Sequence, residues 1–124
     1  MAERRIRVTA GGVAVVARLN DGATAGLLWA SLPLTASAST WGDEIYFRVP
    51  VDAEEEDARE VVDIGAVAFW PPGAALCLFF GPTPASRHDE IRSASPVNVV
   101  GQVVGDPTVM RQVRDGDRVV VEEA

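Results

Sequence analysis

Apolar and polar residues alternate along most of this chain, and a period of two is the pattern of β-strands that bury one face. In residues 44–51 the odd positions are apolar and most of the even positions are polar or amphipathic. Residues 13–19 alternate in a similar way, and the glycine turn at 11–12 predicts that they form a hairpin with residues 6–8. We therefore expect the 44–51 strand to have one core face and one face toward solvent or a ligand.

Two further segments, 66–70 and 76–80, are apolar at nearly every position. The turn sequence Pro-Pro-Gly at 71–73 lies close to both of them, which predicts a second hairpin. Strands that are apolar on both faces are typical of the middle of a sheet that is covered on both sides. With 97–104 and 118–122, the chain contains at least seven candidate strands.

Helical signals are scarce. Asn20 and Asp21 can cap a short helix over residues 22–31, which Leu32-Pro33 would end, and residues 107–113 can form one or two turns. Many short strands with little helix in 124 residues predict one all-β domain spanning residues 1–124, either a sandwich or a barrel. A helix that plugs the open end of a barrel fits the single amphipathic segment.

The charge is local. The formal net charge is −7, and residues 43–63 contain nine acidic residues against two arginines, so this segment accounts for the whole excess. A charge run of this kind is typical of a solvated loop, and the consecutive carboxylates of 54–57 lack the alternate spacing of a calcium-binding loop. Because no basic stripe compensates for the acidic segment, we expect no nucleic-acid partner.

The cellular compartment is predicted from three features that the sequence lacks: a second cysteine, a signal peptide and a membrane-spanning segment. Cys77 is the only cysteine, so an intrachain disulfide is excluded. Arg7 and Arg18 interrupt any apolar stretch of the kind found in signal peptides, and no segment reaches the roughly 20 apolar residues that span a bilayer. These observations predict a cytoplasmic protein without a membrane partner.

The sequence lacks the residues that common catalytic sites require. His88 is the only histidine and lies in a polar loop, while Cys77 lies within an apolar strand, where a buried and inert thiol is expected. A nucleophile–histidine–acid triad and a zinc site are therefore excluded, and we predict no metal and no cofactor. Asp43 and Glu44 are adjacent in a strand, so their side chains point to opposite faces and do not form a carboxylate pair.

Aromatic residues and prolines are concentrated in three blocks, 40–47, 69–73 and 79–86. If the strands that carry these blocks are neighbours, their side chains line an apolar surface groove with a few polar groups. The predicted ligand-binding residues are Trp41, Glu44, Tyr46, Trp70, Phe80 and Thr83. The alternative is that most of these aromatic side chains belong to the core.

The groove also carries the resemblance to a known family. The stretches 19–25, 41–47, 69–73, 76–84 and 94–101 are similar to those of small bacterial and archaeal cyclophilin-like proteins of unassigned function. The resemblance spans roughly residues 5 to 122, and it implies a closed cyclophilin-like β-barrel of about eight strands with a short capping helix.

Cyclophilins catalyse cis/trans isomerisation of X-Pro bonds, a step with a barrier of about 18–20 kcal/mol. An arginine next to an apolar proline pocket weakens amide resonance electrostatically. By resemblance, residues 46–49 correspond to the cyclophilin Phe-His-Arg segment, so Arg48 is the candidate catalytic residue and Phe80 lies near the pocket floor. Phe47 stands where cyclophilins have histidine, and residues 73–77 supply no side-chain amide.

Three functions follow. The leading hypothesis is a small barrel that binds a peptide segment or a small molecule in the aromatic groove, without conventional catalysis. The first alternative is a peptidyl-prolyl cis/trans isomerase that uses Arg48. The second is a protein-interaction or homo-oligomeric subunit in which Trp41, Trp70 and the loop 82–84 pack against a partner or a second copy.

Overall fold

A computed structural model describes residues 3–124 of the chain. This part of the chain contains ten strands, one α-helix and two short 3-10 turns, at Pro71–Gly73 and Pro107–Gln112. The elements are β1 (Arg5–Ala10), β2 (Val13–Leu19), α1 (Ala23–Ala30), β3 (Leu34–Ser37), β4 (Ser39–Thr40), β5 (Glu44–Arg48), β6 (Arg59–Val62), β7 (Ala66–Trp70), β8 (Ala75–Phe79), β9 (Ile91–Val104) and β10 (Arg118–Glu123). The predicted all-β fold class is confirmed.

Both predicted hairpins are present. β1 pairs with β2 in antiparallel register, with Ile6 opposite Ala17. β7 pairs with β8 across the Pro71–Gly73 turn, with Trp70 opposite Ala75. β9 is longer than predicted because it begins at Ile91, and it pairs with β2, β6 and β7.

The main sheet runs in the order β3-β10-β1-β2-β9-β7-β8-β5-β4, and β6 pairs with β9 off this path. Its two end strands, β3 and β4, are consecutive in the chain and are separated only by Ala38. Within residues 3–124, no hydrogen-bonded ladder joins β3 to β4. The predicted closure of the barrel therefore stays a prediction, although the order of the strands brings the two ends of the sheet to neighbouring residues.

Two apolar clusters lie on opposite faces of the sheet. The larger cluster contains Ile45 and Phe47 of β5 together with Leu76 and Leu78 of β8. The smaller one contains Ala68 of β7, Cys77 and Phe79 of β8, and residues of β6 and β9. β7 and β8 are thus buried on both faces, as their composition predicts, because β6 and the first half of β9 cover their second face.

The predicted helix is present as α1, but its N-terminus is stabilised differently from the prediction. The N-cap residue is Gly22, which has no side chain to accept a hydrogen bond. The carboxylate of Glu56 takes that role: Oε2 accepts a hydrogen bond from the Ala23 amide and Oε1 accepts one from the Thr24 amide, both at 2.9 Å. The acidic segment is therefore more than a solvated loop, since one of its carboxylates is turned onto the helix.

In the described part of the chain, α1 is eight residues long, and no helix has the length and apolar character needed to cross a membrane.

Candidate functional site: an aromatic cavity around Glu44

A cavity of about 270 Å³ opens on the face of β5 and β8 that carries the smaller apolar cluster. Its lining comes from the turn before β5, from β5 itself, from the end of β7, and from β8 and β9. The lining residues are Trp41, Glu44, Tyr46, Trp70, Cys77, Ser93 and Ala94. We call this space the Glu44 cavity.

Strand alternation explains how the Glu44 cavity forms. Ile45 and Phe47 point to the larger core cluster, so Glu44 and Tyr46 point to the opposite face of β5. Tyr46 lies opposite Cys77 in the antiparallel register. The thiol of Cys77 therefore faces the same side of the sheet as the carboxyl of Glu44, at the bottom of the cavity.

The two tryptophan walls are held by local structure. The indole Nε1 of Trp70 donates a hydrogen bond to Oγ of Ser95 at 2.6 Å, which ties the end of β7 to β9. The amide of Trp41 donates to the Glu44 carbonyl at 2.9 Å across a tight turn. Gly42 in this turn has a φ of +61°, and a Cβ there would lie 2.9 Å from Cδ of Pro84, so only glycine fits without strain.

Glu44 has the most unusual environment of the residues that line the cavity. The residue is only 5% exposed. Among the buried side-chain nitrogen and oxygen atoms of residues 3–124, Oε1 of Glu44 alone lacks a hydrogen-bond partner. Buried polar groups are nearly always hydrogen-bonded, because an unpaired one loses its contacts with water and gains nothing in return. The Glu44 carboxyl therefore has an unused acceptor, and a donor from outside the protein would be favourable at this group.

Burial also changes the acid–base behaviour of the cavity floor. It raises the pKa of Glu44 to about 7, against a smaller lowering by the neighbouring Cys77 thiol. The pKa of Cys77 is raised well above its usual value, mainly by burial and further by the Glu44 carboxyl. The thiol is therefore protonated and unreactive at neutral pH, as expected for a buried cysteine.

The structure brings four of the six predicted ligand-binding residues together in this cavity: Trp41, Glu44, Tyr46 and Trp70. Phe80 lies elsewhere, because the alternation that directs Cys77 and Phe79 to the cavity face directs Phe80 into the larger core cluster, where it is 3% exposed. Thr83 is buried in the loop after β8. Its hydroxyl donates to the Arg92 carbonyl, and its amide donates to Oγ of Ser86 at 2.9 Å, so it anchors that loop to β9.

Arg48 is on the same face of β5 as Glu44 but lies outside the Glu44 cavity. Its exposed side chain borders a separate, shallow depression together with Thr35, Ser37 and Pro50. Arg48 is four residue steps along the extended strand from Glu44, a distance of about 13 Å.

Three lining residues were missed at the sequence level. Cys77 was expected to be buried and inert, and its burial is confirmed, but its position below the cavity depends on its pairing with Tyr46. Ser93 and Ala94 belong to the first half of β9, which lies before the strand expected at 97–104. In residues 3–124, no group of three or more His, Cys, Asp or Glu side chains is arranged to hold a metal ion.

Comparison with known proteins agrees with this architecture. A family model described as cyclophilin-like matches residues 4–122. The chain is similar to a hypothetical protein from Archaeoglobus fulgidus whose structure was determined in solution, with 41% sequence identity and a TM-score of 0.84, over 98% of this chain and 95% of that one. Comparison with curated proteins finds no match.

Proposed function

The chain belongs to the cyclophilin-like family, and from this premise we propose that it binds a small molecule, or one side chain of a peptide segment, in the Glu44 cavity of a barrel-like sheet without conventional catalysis. The observation that carries the proposal is the Glu44 carboxyl, which is buried, faces the cavity and leaves Oε1 without a partner. Membership of a fold family does not specify an activity, so the argument rests on this site.

The size and lining of the cavity support a small ligand. Ligand pockets commonly measure about 300–1,000 Å³, and they combine apolar and aromatic walls with a few placed polar groups. The Glu44 cavity, at about 270 Å³, is just below that range, and its walls are mainly Trp41, Tyr46 and Trp70. One ring or a short aliphatic group fits this space better than an extended peptide.

The two alternatives gain no support from the geometry. An isomerase that uses Arg48 needs its guanidinium beside a proline pocket, whereas Arg48 borders a different depression. An interaction surface built on Trp41, Trp70 and the loop 82–84 would leave the buried Oε1 of Glu44 unexplained. Both stay predictions.

A fragment screen followed by amide and indole N–H correlation NMR spectra tests the proposal. We expect fragments of one ring or a short chain to shift the indole signals of Trp41 and Trp70 and the amide signals of Tyr46 and Cys77. Trp29 is an internal control, because its ring lies under Arg4 at 5.6 Å and does not line the cavity. A complete screen in which no fragment shifts the Trp41 and Trp70 signals at millimolar concentration would contradict the proposal.

A further inference from the structure

The lining of the Glu44 cavity contains a carboxyl group but no positively charged side chain. Three of its lining residues are titratable, namely Glu44, Tyr46 and Cys77, and none is an arginine. The Glu44 pKa is influenced by burial and by Cys77, and no guanidinium contributes to it. A positive charge that balances the ionised Glu44 is therefore not supplied by the lining of the cavity.

The charged residues next to Ser93 and Glu44 in the sequence are paired away from the cavity, and Arg48, on the same face of β5, borders a separate depression about 13 Å along the strand. Arg92 precedes Ser93 on β9, but its guanidinium contacts Glu90 at 2.6 Å and Glu60 at 2.8 Å. Asp43 precedes Glu44, and its carboxylate lies 3.6 Å from the Arg111 guanidinium. Alternation along β9 directs Arg92 away from the face that carries Ser93, and Asp43 lies in the bend before β5 with its carboxylate toward Arg111.

The walls favour a cation as well. Aromatic rings attract positive charge through the negative potential of their faces, and tryptophan does so most strongly. The indole N–H of Trp70 is already used by Ser95, so it does not compete for Oε1 of Glu44. An occupant that brings both a positive charge and an N–H donor would satisfy the carboxylate and the rings together.

Building on the proposed function, we infer that the Glu44 cavity takes a small organic ammonium group, which donates a hydrogen bond to the Glu44 carboxylate and lies against Trp41, Tyr46 and Trp70. Because burial raises the pKa of Glu44 to about 7, binding of the cation favours the ionised carboxyl and releases a proton to solvent near neutral pH. A quaternary ammonium has no N–H and forms the weaker complex.

Three probes separate the chemical classes: butylammonium, its neutral counterpart butanol, and tetramethylammonium. Each is titrated into the wild-type protein at constant ionic strength while the Trp41 and Trp70 indole signals are followed. We expect butylammonium to bind tightest, with an affinity about tenfold higher near pH 8 than near pH 6, because the ionised fraction of a group with a pKa of about 7 changes by about that factor. Equal affinity for butylammonium and butanol, or a flat pH dependence, would overturn the inference.

Two variants locate the effect. Glu44→Gln keeps the shape of the side chain and removes its charge, so the preference for butylammonium over butanol should disappear. Glu55→Gln removes the same charge from an exposed position outside the cavity and should leave the preference unchanged. A preference that survives in Glu44→Gln overturns the inference.

The comparison of probes in the wild type does not depend on either variant folding. If neutral fragments bind and ammonium probes do not, the inference fails and the proposed function stands. If no fragment of any class binds, both fail.

Discussion

The side-chain amide of Asn98 donates a hydrogen bond to the hydroxyl of Thr24 at 3.1 Å, joining β9 to the first turn of α1 across 74 residues of sequence. Asn98 also accepts a hydrogen bond from the Glu56 amide and donates one to the Glu54 carbonyl, both at 2.8 Å. One buried asparagine thus holds the acidic segment in the position from which Glu56 binds the helix N-terminus.

Replacing Asn98 should destabilise the protein markedly. Asn98→Ala removes three hydrogen bonds made by a side chain of a residue that is 1% exposed, so we expect the free energy of unfolding to fall by about 2–4 kcal/mol in urea titrations. Asn20→Ala is the matched control, because Asn20 is exposed and its loss should lower stability by only about 1 kcal/mol. Equal effects of the two substitutions would show that the buried position of Asn98 contributes nothing beyond what an exposed asparagine contributes.

The contact of Glu56 with α1 should make stability depend on pH in the acid range. The pKa of Glu56 is lowered, first by the hydrogen bond from the Thr24 hydroxyl and then by those from the Thr24 and Ala23 amides. A carboxyl whose folded-state pKa is depressed stabilises the protein above its unfolded pKa of about 4.5, and this contribution is lost as the pH falls through the folded value.

Urea midpoints of wild type and Glu56→Gln, measured between about pH 7 and pH 3, test this dependence. Wild type should be the more stable protein near pH 7, and the difference should shrink once the pH falls below about 4.5. Glu55→Gln controls for the change in net charge. A difference between wild type and Glu56→Gln that is constant over the whole range would contradict the assignment.

Glu44 should make stability depend on pH in the opposite direction to Glu56. Its pKa is raised by burial to about 7, so the folded state holds the proton more tightly than the unfolded chain, and stability falls as the pH rises from about 4.5 to about 7. Glu44→Gln cannot ionise. We expect it to be more stable than wild type near pH 8, by up to about 3 kcal/mol, and nearly equal to wild type near pH 4.

This prediction is checked by urea unfolding of both proteins in the absence of added ligand at the two pH values. Comparing the two proteins at each pH cancels the contribution of Glu56, which both retain. A Glu44→Gln protein that is less stable than wild type near pH 8 would show that the ionised carboxyl has a stabilising partner in the folded state.

The position of Trp70 should depend on Gly73. A Cβ at Gly73 would lie 2.5 Å from Cζ3 of Trp70, so Gly73→Ala must displace the indole ring. We expect a loss of about 1–3 kcal/mol in unfolding free energy, a shifted Trp70 indole signal and weaker binding of ligands in the Glu44 cavity. Gly12→Ala is the matched control, because no atom lies within 4 Å of a Cβ there. An unchanged Trp70 signal in Gly73→Ala would contradict the role of the ring as a fixed wall.

Local patterns were sufficient to predict seven of the ten strands, whereas β3, β4, β6 and the first half of β9 were not predicted. The period of two in 44–51 and the Pro-Pro-Gly turn at 71–73 correspond to β5 and to the β7–β8 hairpin. The location of α1 was also predictable from its flanking residues. Its cap was not, because Glu56 is 32 residues away and the contact depends on the path of the acidic segment across the sheet.

The site was predictable only where its residues are close together in the sequence. Trp41, Glu44 and Tyr46 are close in sequence, so alternation alone puts Glu44 and Tyr46 on one face of β5. Phe80 illustrates the limit of this reasoning. Residues 76–80 are apolar on both faces, so composition does not reveal which face points to the larger core, and the answer depends on the pairing of β8 with β5 and β7.

The pairing of β1 with β10 has a consequence for circular permutation of the chain. The Ala124 amide donates to the Arg5 carbonyl at 2.9 Å, and Ile6 lies opposite Glu123. In a designed circular permutant, a short peptide linker would join Ala124 to Glu3, and the chain would begin and end at the exposed turn of Gly11 and Gly12. The strands of this permutant would have the same neighbours. The strands around Glu44 would keep their neighbours in such a chain, so the order in which the strands are synthesised changes while the Glu44 cavity is retained.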